Sequence, residues 1–291
     1  MTPSILIPTD CELGEGPMWH SSEKVLYWVD ILQKKLHRFN PQLKKHQFFQ
    51  FDKMPGAVVP SNLDAHLMIS FEDGIAQFNL HTQLLRYMVK FHENQPNMRA
   101  NDGKCDPFGN FWVGTMSKTC EDKAGALYCL KADGSFEKKI ENITISNGLC
   151  WSPDHKTMYY IDTFAYNVKA YDCDVSGNLS NERVVIDAHQ PEWAYLDGMT
   201  IDTEGMLWIA HCTGSCIRRW NPHSGKVLAT YQLSVPKVTS LAFGGEHYDT
   251  LYITTAQEHM TAEALIQYPE SGHVFMLKTK QQGFATSVYR I

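Results

Sequence analysis

Asn147-Gly148-Leu149-Cys150-Trp151-Ser152-Pro153, followed four residues later by Met158-Tyr159-Tyr160-Ile161-Asp162, is the stretch from which the fold can be read. A polar residue and a glycine open it, an apolar segment follows, Pro153-Asp154 marks a turn, and the second apolar segment is rich in aromatic rings. Tyr, Trp, Ile and Val at this density favour strands, and the Pro-Asp pair supplies the chemistry of a hairpin turn.

The same pattern recurs along the rest of the chain. Before it stand Gly14-Glu15-Gly16-Pro17-Met18-Trp19 with Leu26-Tyr27-Trp28-Val29-Asp30, a weaker copy at Gly56-Ala57-Val58-Val59 with His66-Leu67-Met68-Ile69-Ser70, and Asn101-Asp102-Gly103-Lys104-Cys105-Asp106-Pro107 with Asn110-Phe111-Trp112-Val113-Gly114. After it stand Asp197-Gly198-Met199-Thr200-Ile201-Asp202 with Met206-Leu207-Trp208-Ile209-Ala210, and Thr239-Ser240-Leu241-Ala242-Phe243-Gly244 with Thr250-Leu251-Tyr252-Ile253-Thr254. The starts near residues 14, 56, 101, 147, 197 and 239 are separated by 42, 45, 46, 50 and 42 residues. A period of this length built from short strands is the signature of a propeller. Sustained helical periodicity is missing. The expectation is an all-β, six-bladed β-propeller with four-stranded antiparallel blades, formed by residues 1–291 as one domain. The loop at 119–124 and the stretch 257–271 read as excursions between strands, the latter able to carry a helical turn. Large rings followed by a small residue, as in Trp112-Val113-Gly114, are expected to wedge between blades.

Equivalent positions of successive blades form a ring about the propeller axis, so residues far apart in sequence converge. The repeat starts place Glu15, Asn101, Asn147 and Asp197 there, with Arg99 close by. A dry, unpaired ring of carboxylates and amides is costly, but becomes reasonable around a cation. All these donors are oxygens, which suit Ca²⁺, Mg²⁺ or Mn²⁺. Two carboxylates and one amide leave positions for water or substrate. The same residues also suit turns, since Asn-Gly and Asp-Gly are strong turn dipeptides.

Composition narrows the function. The chain has 291 residues, 43% hydrophobic and 20% charged, enough for a large core. A net charge of −6 without a basic run argues against nucleic acid as a partner. No apolar run approaches a membrane span, and the N-terminus does not read as a signal peptide. The eight cysteines are scattered without a C-x-x-C pair, as expected for free thiols in the cytoplasm. Nothing in the sequence indicates an oligomeric state. No G-x-S-x-G nucleophile motif occurs, and His20, His211 and His259 lie away from the repeat starts.

At the repeat starts the chain resembles the regucalcin (senescence marker protein) and gluconolactonase family. The matching segments include Gly14-Glu15-Gly16-Pro17, Arg99-Ala100-Asn101-Asp102-Gly103-Lys104, Phe111-Trp112-Val113-Gly114-Thr115-Met116, Ile145-Ser146-Asn147-Gly148-Leu149, Leu196-Asp197-Gly198-Met199 and Leu241-Ala242-Phe243-Gly244-Gly245, in the family's order. The resemblance implies a six-bladed propeller with one divalent cation, Ca²⁺ before Mg²⁺ or Mn²⁺, with Zn²⁺ and Fe²⁺ also compatible. It implies Glu15, Asn147 and Asp197 as metal ligands, Asn101 and Arg99 as sugar-binding residues, and Asp197 as general base. The expected activity is hydrolysis of a sugar lactone to its aldonic acid. The competing expectations are a non-enzymatic calcium-binding regulator, a propeller scaffold for protein partners, and a pentonolactonase or organophosphate hydrolase on the same propeller. Two departures stand out: Ser117-Lys118-Thr119 stands where animal members carry an acidic residue, in a loop that faces substrate in the family, and Gly214-Ser215-Cys216 replaces Gly-Gly-Arg.

Overall fold

A computed structural model describes residues 2–189 and 193–291. Within them the strands form six four-stranded antiparallel sheets, a six-bladed β-propeller. Blades 1 to 5 are each made of four consecutive strands. Blade 6 takes three, Val238–Gly244, Thr250–Thr255 and Val274–Lys278, and gains its outermost strand from the other end of the chain, Ser4–Ile7, which pairs Ser4 with Met276 and Ile5 with Phe275. Thr239 Oγ1, donating to the Gly14 carbonyl at 2.5 Å, ties blade 6 to blade 1 at the channel.

The inner strands are Gly14–His20, Pro55–Pro60, Met98–Cys105, Ser146–Trp151, Tyr195–Ile201 and Val238–Gly244. They coincide with the six repeat starts. Each is irregular in register near its beginning: between Glu15 and Met18, Pro55 and Ala57, Ala100 and Gly103, Ser146 and Leu149, Leu196 and Met199, and Val238 and Ser240. Such bulges interrupt the ladder and re-aim side chains. The Asn-Gly and Asp-Gly pairs at 147–148, 102–103 and 197–198 are therefore not hairpin turns. Hairpin turns fall instead at Glu72-Asp73, just before Gly74, and at Asp133-Gly134. The glycines serve close approach between neighbouring inner strands: a Cβ on Gly148 would lie 2.6 Å from the Asp197 carbonyl oxygen, and one on Gly198 would lie 2.1 Å from Ser240 Oγ.

The core lies between the blades. Trp112 of blade 3 packs with Trp151, Tyr160 and Met158 of blade 4, and Trp208 of blade 5 meets Phe243 of blade 6 edge-on at 5.7 Å. Asp106 holds Trp112 in place. Its two carboxylate oxygens accept from Phe108 N, Asn110 N, Asn110 Nδ2 and Trp112 Nε1, all at 2.7–2.9 Å. Asp202 repeats the device for Trp208. The excursion after blade 6's second strand carries one short helix, Ala262–Gln267, capped by Thr261. No helix among the described residues is long and apolar enough to cross a membrane.

Candidate metal and substrate site

The bulges turn polar side chains from blades 1, 3, 4 and 5 toward the axis, while blade 2 presents only Gly56 and Ala57 at the equivalent place. Arg99, Asn101, Asn147, Asp197 and Glu15 are all buried. Three of them form a directional hydrogen-bond chain. Arg99 Nη1 donates to Asn101 Oδ1 at 2.5 Å, and Asn101 Nδ2 donates to Asn147 Oδ1 at 2.9 Å and to the Ser146 carbonyl at 2.8 Å. Asn147 Nδ2 then donates to Thr163 Oγ1 at 2.8 Å, and Thr163 donates to the Leu196 carbonyl at 2.9 Å. Both amides are thereby oriented, and the second lone pair of Asn147 Oδ1 is left for another partner. Thr163 joins Asn147 in blade 4 to the backbone immediately before Asp197 in blade 5.

The buried acids raise one another's proton affinity. Burial, and then the charges of Asp197 and Asp102, push the Glu15 carboxyl well above the usual carboxylate range. Burial also pushes Asp197 well up, helped by Asp102 and Glu258. Asp102 is raised by burial against the opposing pull of Lys104 and the Gly103 N–H. Against these acids stands one buried guanidinium, Arg99, itself lowered by burial and supported first by Glu258 and then by Glu15. No carboxylate among the described residues lies within ion-pair distance of Arg99, so its head is not spent in a structural salt bridge.

The residues fit a hard divalent cation. Asp197 Oδ1 is buried and has no hydrogen-bond partner, which is costly for a carboxylate unless a cation or water reaches it. Glu15, Asp197 and the Asn147 carbonyl supply only oxygen donors.

All five residues singled out from the sequence thus share one end of the channel. Three further contributors were missed. Asp102 stands next to Asn101 in the repeat start and could have been found by counting acids there. Thr163 and Glu258 carry no sequence signal, because one follows a strand end and the other lies in the excursion after blade 6. The Lys118 departure has a structural role: its Nζ pairs with Glu72 of blade 2 at 2.5 Å, while Ser117 and Thr119 both accept from Asn97 Nδ2 at 3.0 Å. His211 is a core residue, joined to the Trp193 carbonyl and to Trp220 Nε1 and held neutral by burial, with its pKa lowered to about 3. The eight cysteines are free thiols. The changed residues 214–216 have no functional explanation in the structure.

A cavity of about 360 Å³ occupies the other end of the channel, lined by Met18, Val58, Lys104, Trp151 and Phe243, with the C-terminal residues 284–287 along it. Asp102 borders it and is the only acid of the cluster to do so. The polar ring and this cavity are therefore two ends of one channel.

Fold and ring together define a six-bladed propeller with an acidic and amide cluster at one mouth. The description SMP-30/Gluconolactonase/LRE-like region matches residues 13–257. The chain belongs to this family. It is 37% identical over 278 residues to regucalcin of Oryctolagus cuniculus, covering 94% of this chain and 92% of that one. A Bacillus subtilis (strain 168) protein with the provisional name sugar lactone lactonase YvrE is 36% identical over 277 residues, covering 95% and 94%. Among solved structures, a calcium-binding protein, regucalcin, from Agrobacterium tumefaciens superposes with a TM-score of 0.95 at 28% identity, covering 100% of this chain and 98% of that one.

Proposed function

We propose that this chain hydrolyses a sugar lactone to the open aldonic acid, using one divalent cation held by Glu15, Asn147 and Asp197. Ca²⁺ is the first choice for an all-oxygen set, and Mg²⁺ and Mn²⁺ share its preference. The observation that carries the proposal is the unpartnered, buried Asp197 Oδ1 within a cluster of acids that Arg99 alone does not neutralise. When bound, the cation supplies positive charge for the ester carbonyl oxygen and acidifies nearby water.

The chain's own residues do the rest. Arg99 presents the guanidinium N–H groups that the polar ring does not use to sugar hydroxyls and ring oxygen, and Asn101, whose two N–H are committed within the polar ring, keeps a lone pair on Oδ1 to accept from a sugar hydroxyl. Asp197 takes a proton as water attacks the carbonyl carbon. The ring C–O bond then breaks, and that proton goes to the departing ring oxygen, which becomes a hydroxyl of the product. A positioned base of this kind contributes about 10²–10⁴-fold. The protein names among the relatives support this reading, since one is provisionally a sugar lactone lactonase.

A pH-stat assay of aldonolactone hydrolysis tests the proposal. Asp197→Ala should remove nearly all turnover, and an active Asp197→Ala variant would contradict it. A second reading, a calcium-binding protein without turnover, is favoured by the description of the Agrobacterium structure. Calcium affinity with no hydrolysis of any hexono- or pentonolactone would establish it.

A further inference from the structure

Blade 1 holds a second cluster of metal-binding side chains, away from the polar ring. Cys11 precedes the first inner strand, Asp30 ends the second strand, and His37 sits on the third. One ligand atom from each lies within 4.8 Å of the others, and the residues are 1%, 0% and 4% exposed. The His37 ring is stacked on Trp28 at 4.8 Å, which fixes its plane. Its Nδ1 is engaged with His46 Nε2 at 2.9 Å. Its Nε2 is buried and has no hydrogen-bond partner, while the Trp28 indole beside it is directed at the Cys11 sulfur. An orphaned imidazole nitrogen is expensive in such a place.

We infer that Cys11, Asp30 and His37 form a site for a borderline divalent cation, Zn²⁺ by preference, with His37 Nε2 as the nitrogen ligand. Thiolate, imidazole and carboxylate together select Zn²⁺ over Ca²⁺ or Mg²⁺, the reverse of the oxygen-only channel set. The surroundings match a built site. A metal-bound histidine normally commits its other nitrogen to a hydrogen bond, and His46 supplies it. Asp30 is already oriented: Oδ1 accepts from Leu13 N and Gln33 N at 3.2 and 3.0 Å, and Oδ2 accepts from Glu12 N at 2.9 Å, which leaves a lone pair on Oδ2 for an ion. Asp162 holds the Thr144 and Ile145 amides at the equivalent place in blade 4, so orienting the loop is the general duty of this aspartate. What is particular to blade 1 is the thiol and the unpaired imidazole beside it. An ion there releases the thiol proton and fastens Cys11 to the sheet. The Cys11 sulfur lies 3.6 Å from where a Cβ on Gly14 would stand, next to Glu15, so the site anchors the approach to the channel.

Cobalt separates the two sites, because only a thiolate ligand gives a sulfur-to-cobalt charge-transfer band. Titrating the chelator-stripped full chain with Co²⁺ should produce that band with one ion per chain, and excess Zn²⁺ should abolish it. The band should persist in Asp197→Asn and in Cys212→Ser, and disappear in Cys11→Ser. His37→Gln should weaken Co²⁺ binding more than tenfold and His46→Gln by ~10–100-fold, as for an outer partner. Absence of the band in the unaltered chain overturns the inference, and so does its survival in Cys11→Ser. If Cys11→Ser does not fold, His37→Gln decides: unchanged affinity overturns the site.

Discussion

Thr163→Val tests how the channel ligands are held. Thr163 is 5% exposed, and its hydroxyl accepts from Asn147 Nδ2 and donates to the Leu196 carbonyl. Valine keeps the shape and strands both partners. An unpaired buried group costs about 1–3 kcal/mol, so the folded state should lose roughly 2–4 kcal/mol. For a chain of this size that lowers the melting temperature by roughly 5–10 °C. The functional effect is separate. Asn147 loses the contact that turns its carbonyl toward the channel, and loss of such a support typically weakens a metal ~10–100-fold. Calorimetric titration of Ca²⁺ into the chelator-stripped chain reads it directly. Thr163→Ser, which keeps the hydroxyl, should bind nearly as the unaltered chain does. Calcium affinity unchanged in Thr163→Val, or equally poor in Thr163→Ser, would refute the reasoning.

Other outcomes follow from the same geometry. Gly148→Ala places a Cβ 2.6 Å from both the Asp197 carbonyl oxygen and Met199 Cβ; overpacking should cost about 1–3 kcal/mol in urea unfolding and weaken Ca²⁺ binding by moving blades 4 and 5 apart. Asp106→Ala removes the acceptor of Trp112 Nε1 and of three other donors; it should destabilise the fold by about 3–5 kcal/mol while leaving the channel ligands in place. The cation-free chain should lose stability as pH rises. Glu15 and Asp197 are raised in the folded state, so above the ordinary carboxylate range the native chain holds protons that the unfolded chain has released, and stability falls until the raised values are passed. Thermal melts across pH should show a shallower decline in Asp197→Asn and in the Ca²⁺-loaded chain; identical slopes would contradict the assignment.

Architecture was legible in the sequence because each blade must present the same strand pattern to its neighbours, and Trp28, Trp112 and Trp208 mark equivalent strands. Closure by Ser4–Ile7 was not, since a single apolar run does not name its partner. The ring residues were found by position, yet the device that aims them was hidden. Asn147-Gly148 and Asp197-Gly198 have the composition of turns, and only the register shows them as bulges inside strands. Thr163 escaped notice because its role arises from two hydrogen bonds that cross from blade 4 to blade 5. Lys118 read as a change in a substrate loop, whereas its charge is taken up by Glu72, 46 residues away in sequence. Cys11, Asp30 and His37 share no spacing pattern, and only pairing of the first blade's strands brings them together.

The most direct measurement is the hydrolysis of gluconolactone by chelator-stripped chain as Ca²⁺ is returned, with bound ion and rate followed together. The account predicts that the rate climbs from the uncatalysed background in step with filling of a single oxygen-ligated site, and that Glu15→Gln and Asp197→Asn abolish both rises. Full hydrolysis by the stripped chain, or a filled site with no hydrolysis, would contradict it.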